Sequence, residues 1–331
     1  MRLCVVSTIA QHKLGVNFHL KNLSWALEEH DVTILLQTYK SYGLKFQDPR
    51  INLIEVDADH KKFHFFWDRA SEIVGEFVEK CDFFLFIEQD VVLTKKPNVN
   101  KEIPIQINLH SDYLSIFDSA KNMVYPRIWE GCTFVRSDIV RDALKSGIRL
   151  GSQKNIPEWI LDGCSEYWTT NSALHLDFVD IHTHISRSSF LDTMSEFGMY
   201  CFKRQIPYEL RSDDLNYEYG DQVVHFRGCD MIVRDNPMIY ESPTEMHKMT
   251  KHSKIWKRLC NGCAFIFLIS GVYKRDKVVA KMIANKFKKS NNFLSVKLGM
   301  MSEHCSEWMS HKEIEDLNWA KFVLKNPILF A

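Results

Sequence analysis

The sequence predicts an α/β fold, and three observations carry the prediction. Largely apolar segments of strand length recur early in the chain, at Leu3-Cys4-Val5-Val6, at Val32 to Leu36 and, with Asn52 and Glu55 interposed, at Ile51 to Val56. Segments with helical hydrophobic spacing separate several of them. The unbroken run Phe83-Phe84-Leu85-Phe86-Ile87 reads as a strand buried on both faces, as strands inside an α/β sheet are. At 331 residues the chain has room for one large domain or two of ordinary size. Its 45% apolar and 25% charged residues are a globular balance that excludes disorder for most of its length.

Taken in order, the first strand is short and ends at the polar pair Ser7-Thr8. A helix is expected from about Val16, with Leu20, Leu23 and Leu27 on one face. The second strand runs from Asp31 to Leu36, and the third from Ile51 to Val56, closing on Asp57. Phe66, Ala70, Ile73, Val74, Phe77 and Val78 follow the spacing of a core-facing helical stripe, which leads into the Phe83–Ile87 strand. Further on, Trp129 to Val135 is expected as a strand feeding a helix that Ser137 would cap, with Gly147 just past its end. Residues 157–174 are expected to be partly helical, and 176–181 and 222–226 to be strands. The last helix places Ile314, Leu317, Ala320 and Leu324 on one face. No internal repeat or low-complexity tract interrupts this order.

Directly after the Phe83–Ile87 strand stands Glu88-Gln89-Asp90. Open α/β sheets bind ligands at the carboxyl ends of their strands. Two carboxylates spaced i and i+2 there can hold a hard divalent cation, which in turn can hold a diphosphate. The glycine signatures that grip phosphate with backbone amides, GxGxxG and GxxxxGK[ST], are missing from the sequence. Gripping through a metal does not need them. An acidic turn after a strand is the plainer alternative.

This order of strands and helices, with its acidic tripeptide, resembles the GT-A fold of metal-dependent nucleotide-sugar glycosyltransferases over roughly residues 1–230. The resemblance implies an α/β/α sandwich around a mixed, mostly parallel sheet, in a catalytic domain of residues 1–245. A small, basic, mainly helical region would follow at 246–331. It implies Mn²⁺ or Mg²⁺ on Glu88 and Asp90, and a nucleotide-sugar co-substrate, UDP- or GDP-linked. The family's usual first Asp is Glu88 here, which makes Asp90 the more direct ligand. Ser7 and Thr8 would contact the nucleoside, Asp57 the base or ribose, and Arg69 the base or phosphates. Each also reads as a cap, a solvated turn or a surface ion pair. His225, in Val223-Val-His-Phe-Arg-Gly228, would be a further metal ligand, imidazole being suited to Mn²⁺. It also fits as a structural histidine in an apolar strand. Arg227 would neutralise diphosphate charge.

Transfer to an acceptor hydroxyl with inversion needs a carboxylate to take its proton. Asp162 and Glu166, four residues apart and on one face if helical, are the candidates, and a solvated helix face is the alternative. Trp159 and Trp168 can stack on a sugar, though core packing is the plainer use for either. A competing motif, Asp180-Ile-His-Thr-His184, is similar to the opening of metal-dependent amidohydrolases, in which His182 and His184 would hold the metal. That family is a TIM barrel with this motif on its first strand, and only 147 residues follow His184.

The formal net charge of zero hides an asymmetry. Residues 251–290 carry eleven Lys or Arg against the single acid Asp276. An apolar stripe of Val278, Val279, Met282, Ile283 and Phe287 flanked by lysines can lie on an anionic membrane, or pack on the catalytic body. The acceptor is expected to be a glycan or a lipid-linked one, a membrane surface would suit the lipid-linked one, and a non-enzymatic membrane-binding module is a third alternative. Nucleic acid is not expected, since basic residues interleaved with aromatics are missing. Nine irregularly spaced Cys and no export signal favour a reducing cytoplasm. The lone Cys260-Asn-Gly-Cys263 lacks partners for a zinc site. No apolar run reaches the roughly 20 residues that span a bilayer.

Overall fold

A computed structural model describes residues 1–8, 19–23, 28, 30–40, 43–56, 69–89, 91–95, 98–108, 128, 131–151, 157–160, 194–211, 223–225, 301, 303, 309–326 and 329. The expected strand at 176–181 and the basic segment 251–290 lie outside these residues.

Nine strands are described: β1 Arg2–Thr8, β2 Asp31–Tyr39, β3 Ile51–Val56, β4 Phe83–Ile87, β5 Val91–Leu93, β6 Ile105–Ile107, β7 Cys132–Arg136, β8 Tyr208–Leu210 and β9 Val223–His225. Four helices accompany them: α1 Ala70–Gly75, α2 Ser137–Lys145, α3 Ser195–Lys203 and α4 His311–Lys325. Seven strands form one sheet in the order β3-β2-β1-β4-β7-β6-β8, while β5 and β9 pair as a separate ribbon. β1 is parallel to β2 and β4, and β2 to β3. β7 runs antiparallel to both β4 and β6, and β8 is parallel to β6. One strand in the seven is therefore reversed. The molecule is α/β with a mixed, mostly parallel sheet, as the sequence predicts.

Strand alternation divides the core between the two faces of this sheet. Cys4, Val6, Leu35, Phe84, Phe86 and Val135 pack with Ala70, Ile73 and Val74 of α1, Val140 and Ala143 of α2, and Phe197 and Cys201 of α3. Leu3, Val5, Ile34, Leu36, Phe83, Leu85, Ile87 and Phe134 pack with Leu20 and Leu23 and with Val91, Leu93 and Val223 of the ribbon. Leu20 and Leu23 belong to residues 19–23, which are helical. All five residues of β4 are buried, because strands flank it on both sides and each of its faces meets one of these clusters.

Polar ties fix how the strands are set. At the amino edge, the Asp82 carboxylate accepts from the Arg2 backbone N–H at 2.8 Å and from its guanidinium at 2.8 Å. That holds β1 against the start of β4. Ser137 does not cap α2 as expected. The helix begins one residue earlier than such a cap allows, and the Ser137 hydroxyl donates to the Cys81 carbonyl at 2.7 Å. Past the other end of α2, Gly147 takes φ +79°. Its N–H reaches the Leu144 carbonyl at 3.0 Å, and the Ile148 N–H reaches that of Ala143 at 3.1 Å, the paired bonds of a Schellman ending. α4 opens with a capping box, Ser310 and Glu313 satisfying each other's backbone N–H. Its buried side chains include Asp316, Leu317, Ala320 and Val323, with Ile314 of the expected face half-buried and the Leu324 side chain outside the described residues. Among the described residues no helix is long and apolar enough to cross a membrane.

Candidate active site at the carboxyl edge of the sheet

The strand order places a topological switch between β1 and β4. The chain moves outward from β1 to β2 and β3, then returns to the other side of β1 as β4. Crossovers leaving in opposite directions open a crevice at the carboxyl ends of the two central strands, where α/β sheets bind ligands. Here those ends are Ser7-Thr8 and Ile87-Glu88-Gln89, with Val6 and Phe86 in register just below.

Ser7 is buried, and its hydroxyl donates to the Ile87 carbonyl at 3.0 Å while lying 2.7 Å from His19 Nε2. A hydroxyl has one proton. With that proton on Ile87, His19 must donate through Nε2–H. The network thus assigns the tautomer and locks the ends of β1 and β4 together. Beyond it, the Val91 N–H donates to the Glu88 carbonyl at 3.2 Å, a bond of the kind that closes a tight turn. The Glu88 N–H is itself held by the Gly131 carbonyl at 3.2 Å.

The turn delivers the chain into β5, and β5 pairs antiparallel with β9. Val91 stands opposite His225, Val92 opposite Val224 and Leu93 opposite Val223. The backbone of His225 is therefore set beside Val91, the first residue of the strand that follows the acidic tripeptide, although the two are far apart in sequence. Glu88 is half-buried. Asp90 itself and the His225 side chain lie outside the described residues, as do Asp57, Asp162, Glu166, His182, His184, Arg227 and Trp168. Among the described residues no three His, Cys, Asp or Glu side chains gather on one point. The candidate donor set, carboxylate oxygens and one imidazole nitrogen, has the chemistry that Mn²⁺ accepts.

Other expected positions divide differently. Ser7 is present at the crevice, but its hydroxyl is engaged within the protein. Of Thr8, the backbone ends β1 in register with Gln37. Arg69 precedes α1 and is exposed, with its guanidinium 3.3 Å from Glu72. That pairing raises its pKa further. Trp159 packs against the helix-covered core cluster, with the Lys203 ammonium 6.0 Å from its ring centroid.

Residues the sequence did not flag also line this edge. Gln37 and Thr38, near the end of β2, are fully buried. Among the described residues neither the carboxamide oxygen nor the nitrogen of Gln37 has a hydrogen-bond partner, nor do the Thr38 and Thr94 hydroxyls or the Asn108 carboxamide oxygen. Leaving such groups unsatisfied costs about 1–3 kcal/mol each, and Gln37, in register with Thr8, stands nearest the β1/β4 switch. The signal was present in the sequence. Gln37-Thr38 ends its apolar run as Ser7-Thr8 ends the first. Cys132, at the neighbouring start of β7, is no nucleophile: burial pushes its thiol up to about 12, despite the Asn108 amide 3.4 Å away. The described cysteines Cys4, Cys81, Cys132 and Cys201 are all buried free thiols.

No protein-family model matches the chain, and no curated protein matches it either.

Proposed function

We propose that the chain is a GT-A-type glycosyltransferase, moving a sugar from a nucleotide-diphosphate donor to a hydroxyl of a glycan or lipid-linked acceptor. The observation that carries this reading is the pairing of β5 with β9, which sets His225 opposite Val91 at the end of the acidic turn, beside the β1/β4 switch. The mixed sheet, covered on each face by a core cluster, accords with the α/β/α sandwich of that family.

In this reading Asp90 and His225 hold Mn²⁺ or Mg²⁺, with Glu88 in support. When bound, the ion offsets the charge of the departing diphosphate. Arg227 adds positive charge on the same side. Gln37, with a donor and an acceptor side by side, meets the nucleobase edge, and Thr8, Asp57 and Arg69 border the nucleoside. Asp162 or Glu166 takes the acceptor proton as the oxygen attacks the anomeric carbon and the bond from that carbon to the diphosphate breaks, with inversion. The basic 251–290 segment would hold the protein peripherally on an anionic membrane, on its cytoplasmic side, near a lipid-linked acceptor. The described sheet is open at β3 and β8 and contains a reversed strand. That favours the transferase over the amidohydrolase alternative, whose parallel strands close into a barrel.

Thermal melting with UDP-, GDP-, CMP- and dTDP-sugars, with and without Mn²⁺, tests the reading. Stabilisation is expected to require the metal together with one nucleotide, and to vanish in Asp90→Ala. An Asp90→Ala protein stabilised as the parent is, with unchanged metal dependence, would overturn the assignment.

A further inference from the structure

Residues 19–23 touch the acidic turn on both of its sides. His19 reaches the residue before it, through Ser7 to the Ile87 carbonyl. Asn22, three residues on and so on the same helical face, reaches the strand after it. Its carboxamide oxygen accepts from the Leu93 N–H at 3.1 Å, and its nitrogen donates to the Val91 carbonyl at 3.4 Å. The shorter bond is the stronger arm. Asn22 is fully buried, and its carboxamide offers β5 an acceptor and a donor as a neighbouring strand would. β5 is only three residues long and has β9 along its other edge. A three-residue ribbon has little stability of its own. Asn22 supplies the second edge.

We propose that Asn22 is a positioning residue for the metal site. It fixes the register of β5, and through β5 it holds the His225 backbone opposite Val91. The inference rests on the metal-site reading above. Groups that orient metal ligands without touching the metal are worth about 10–100-fold in affinity, so a clamp of this kind has a measurable consequence.

The test uses the full chain and two variants. Asn22→Leu keeps the volume and removes both hydrogen bonds. Asn22→Ser is milder, since a water can occupy the vacated space. Hydrogen exchange is expected to quicken about tenfold at 91–93 and 223–225 in Asn22→Leu, with β1 and β4 unchanged. Mn²⁺ titration, followed by the resonance of the free ion, is expected to weaken about tenfold, with Asn22→Ser between the two. Unchanged exchange would overturn the clamp. Quickened exchange with unchanged Mn²⁺ affinity would overturn the positioning role and leave the metal site standing. A parent protein that binds no Mn²⁺ overturns the metal-site reading and this inference with it, while exchange still reports on the clamp by itself.

Discussion

Gln37 carries a carboxamide with two donor hydrogens and an acceptor, all placed where neither water nor, among the described residues, protein meets them. Replacing such a group by an apolar one of similar shape relieves the desolvation cost instead of creating it. Gln37→Leu is expected to raise the melting stability of the ligand-free protein by about 1 kcal/mol. It should also remove the stabilisation given by the nucleotide donor. A variant that melts earlier than its parent would show that the amide is satisfied within the protein. Ser7 behaves differently although its position is analogous, because its hydroxyl already bridges Ile87 and His19. The sequence marks both as polar residues at strand ends. It cannot tell a polar group turned toward a ligand from one tying two strands together, since that depends on the residue opposite. His19 and Asn22 were illegible for the same reason. Each matters only through partners near residue 90, and no local spacing records that.

At the scale of elements, the bounds of β4 were readable from sequence because it is an unbroken apolar run closed by polar residues, and those of β3 because its apolar positions lie between the charged Arg50 and Asp57. β6 and β8 were not, being three residues long and too short to show a period. α3 escaped for the opposite reason. Its residues from Ser195 to Cys201 are all buried, so it lacks the polar face that makes a helix visible. Gly147 was legible, and its cost can be tested. An added Cβ would meet nothing within 4 Å, so only the left-handed backbone opposes a side chain there. Gly147→Ala is expected to destabilise by about 1 kcal/mol in denaturant unfolding. α4 offers a pH test. Burial raises the Glu313 pKa, but hydrogen bonds from Lys21 and Ser310 outweigh it, and the net shift is below the ordinary 4.5. A depressed folded pKa stabilises fully above the unfolded value. Its contribution of about 0.5 kcal/mol should therefore persist above pH 4.5 and fade as the pH falls through the lower folded value. Glu313→Gln should remove that part of the acid sensitivity in pH-dependent melting.

For the whole molecule, the α/β class was legible because periodicity and order are properties of the sequence itself. The switch point, the reversed β7 and the β5–β9 ribbon were not, since they are facts about pairing between distant segments. The linkage expected from them is global. A donor present with Mn²⁺ at 100 times its dissociation constant should add about 2.7 kcal/mol to the unfolding free energy. Because β1 and β4 lie at the centre of the sheet, calorimetry should show the shift in the main transition and not in a separate minor one.

The pairing of Val91 with His225 has a consequence for the protein's birth. During synthesis at about 5–20 residues per second, the acidic turn leaves the ribosome on the order of ten seconds before its histidine partner. Throughout that interval β5 lacks the strand that pairs with it. The ribbon is completed only once all seven strands of the sheet beneath it have been synthesised.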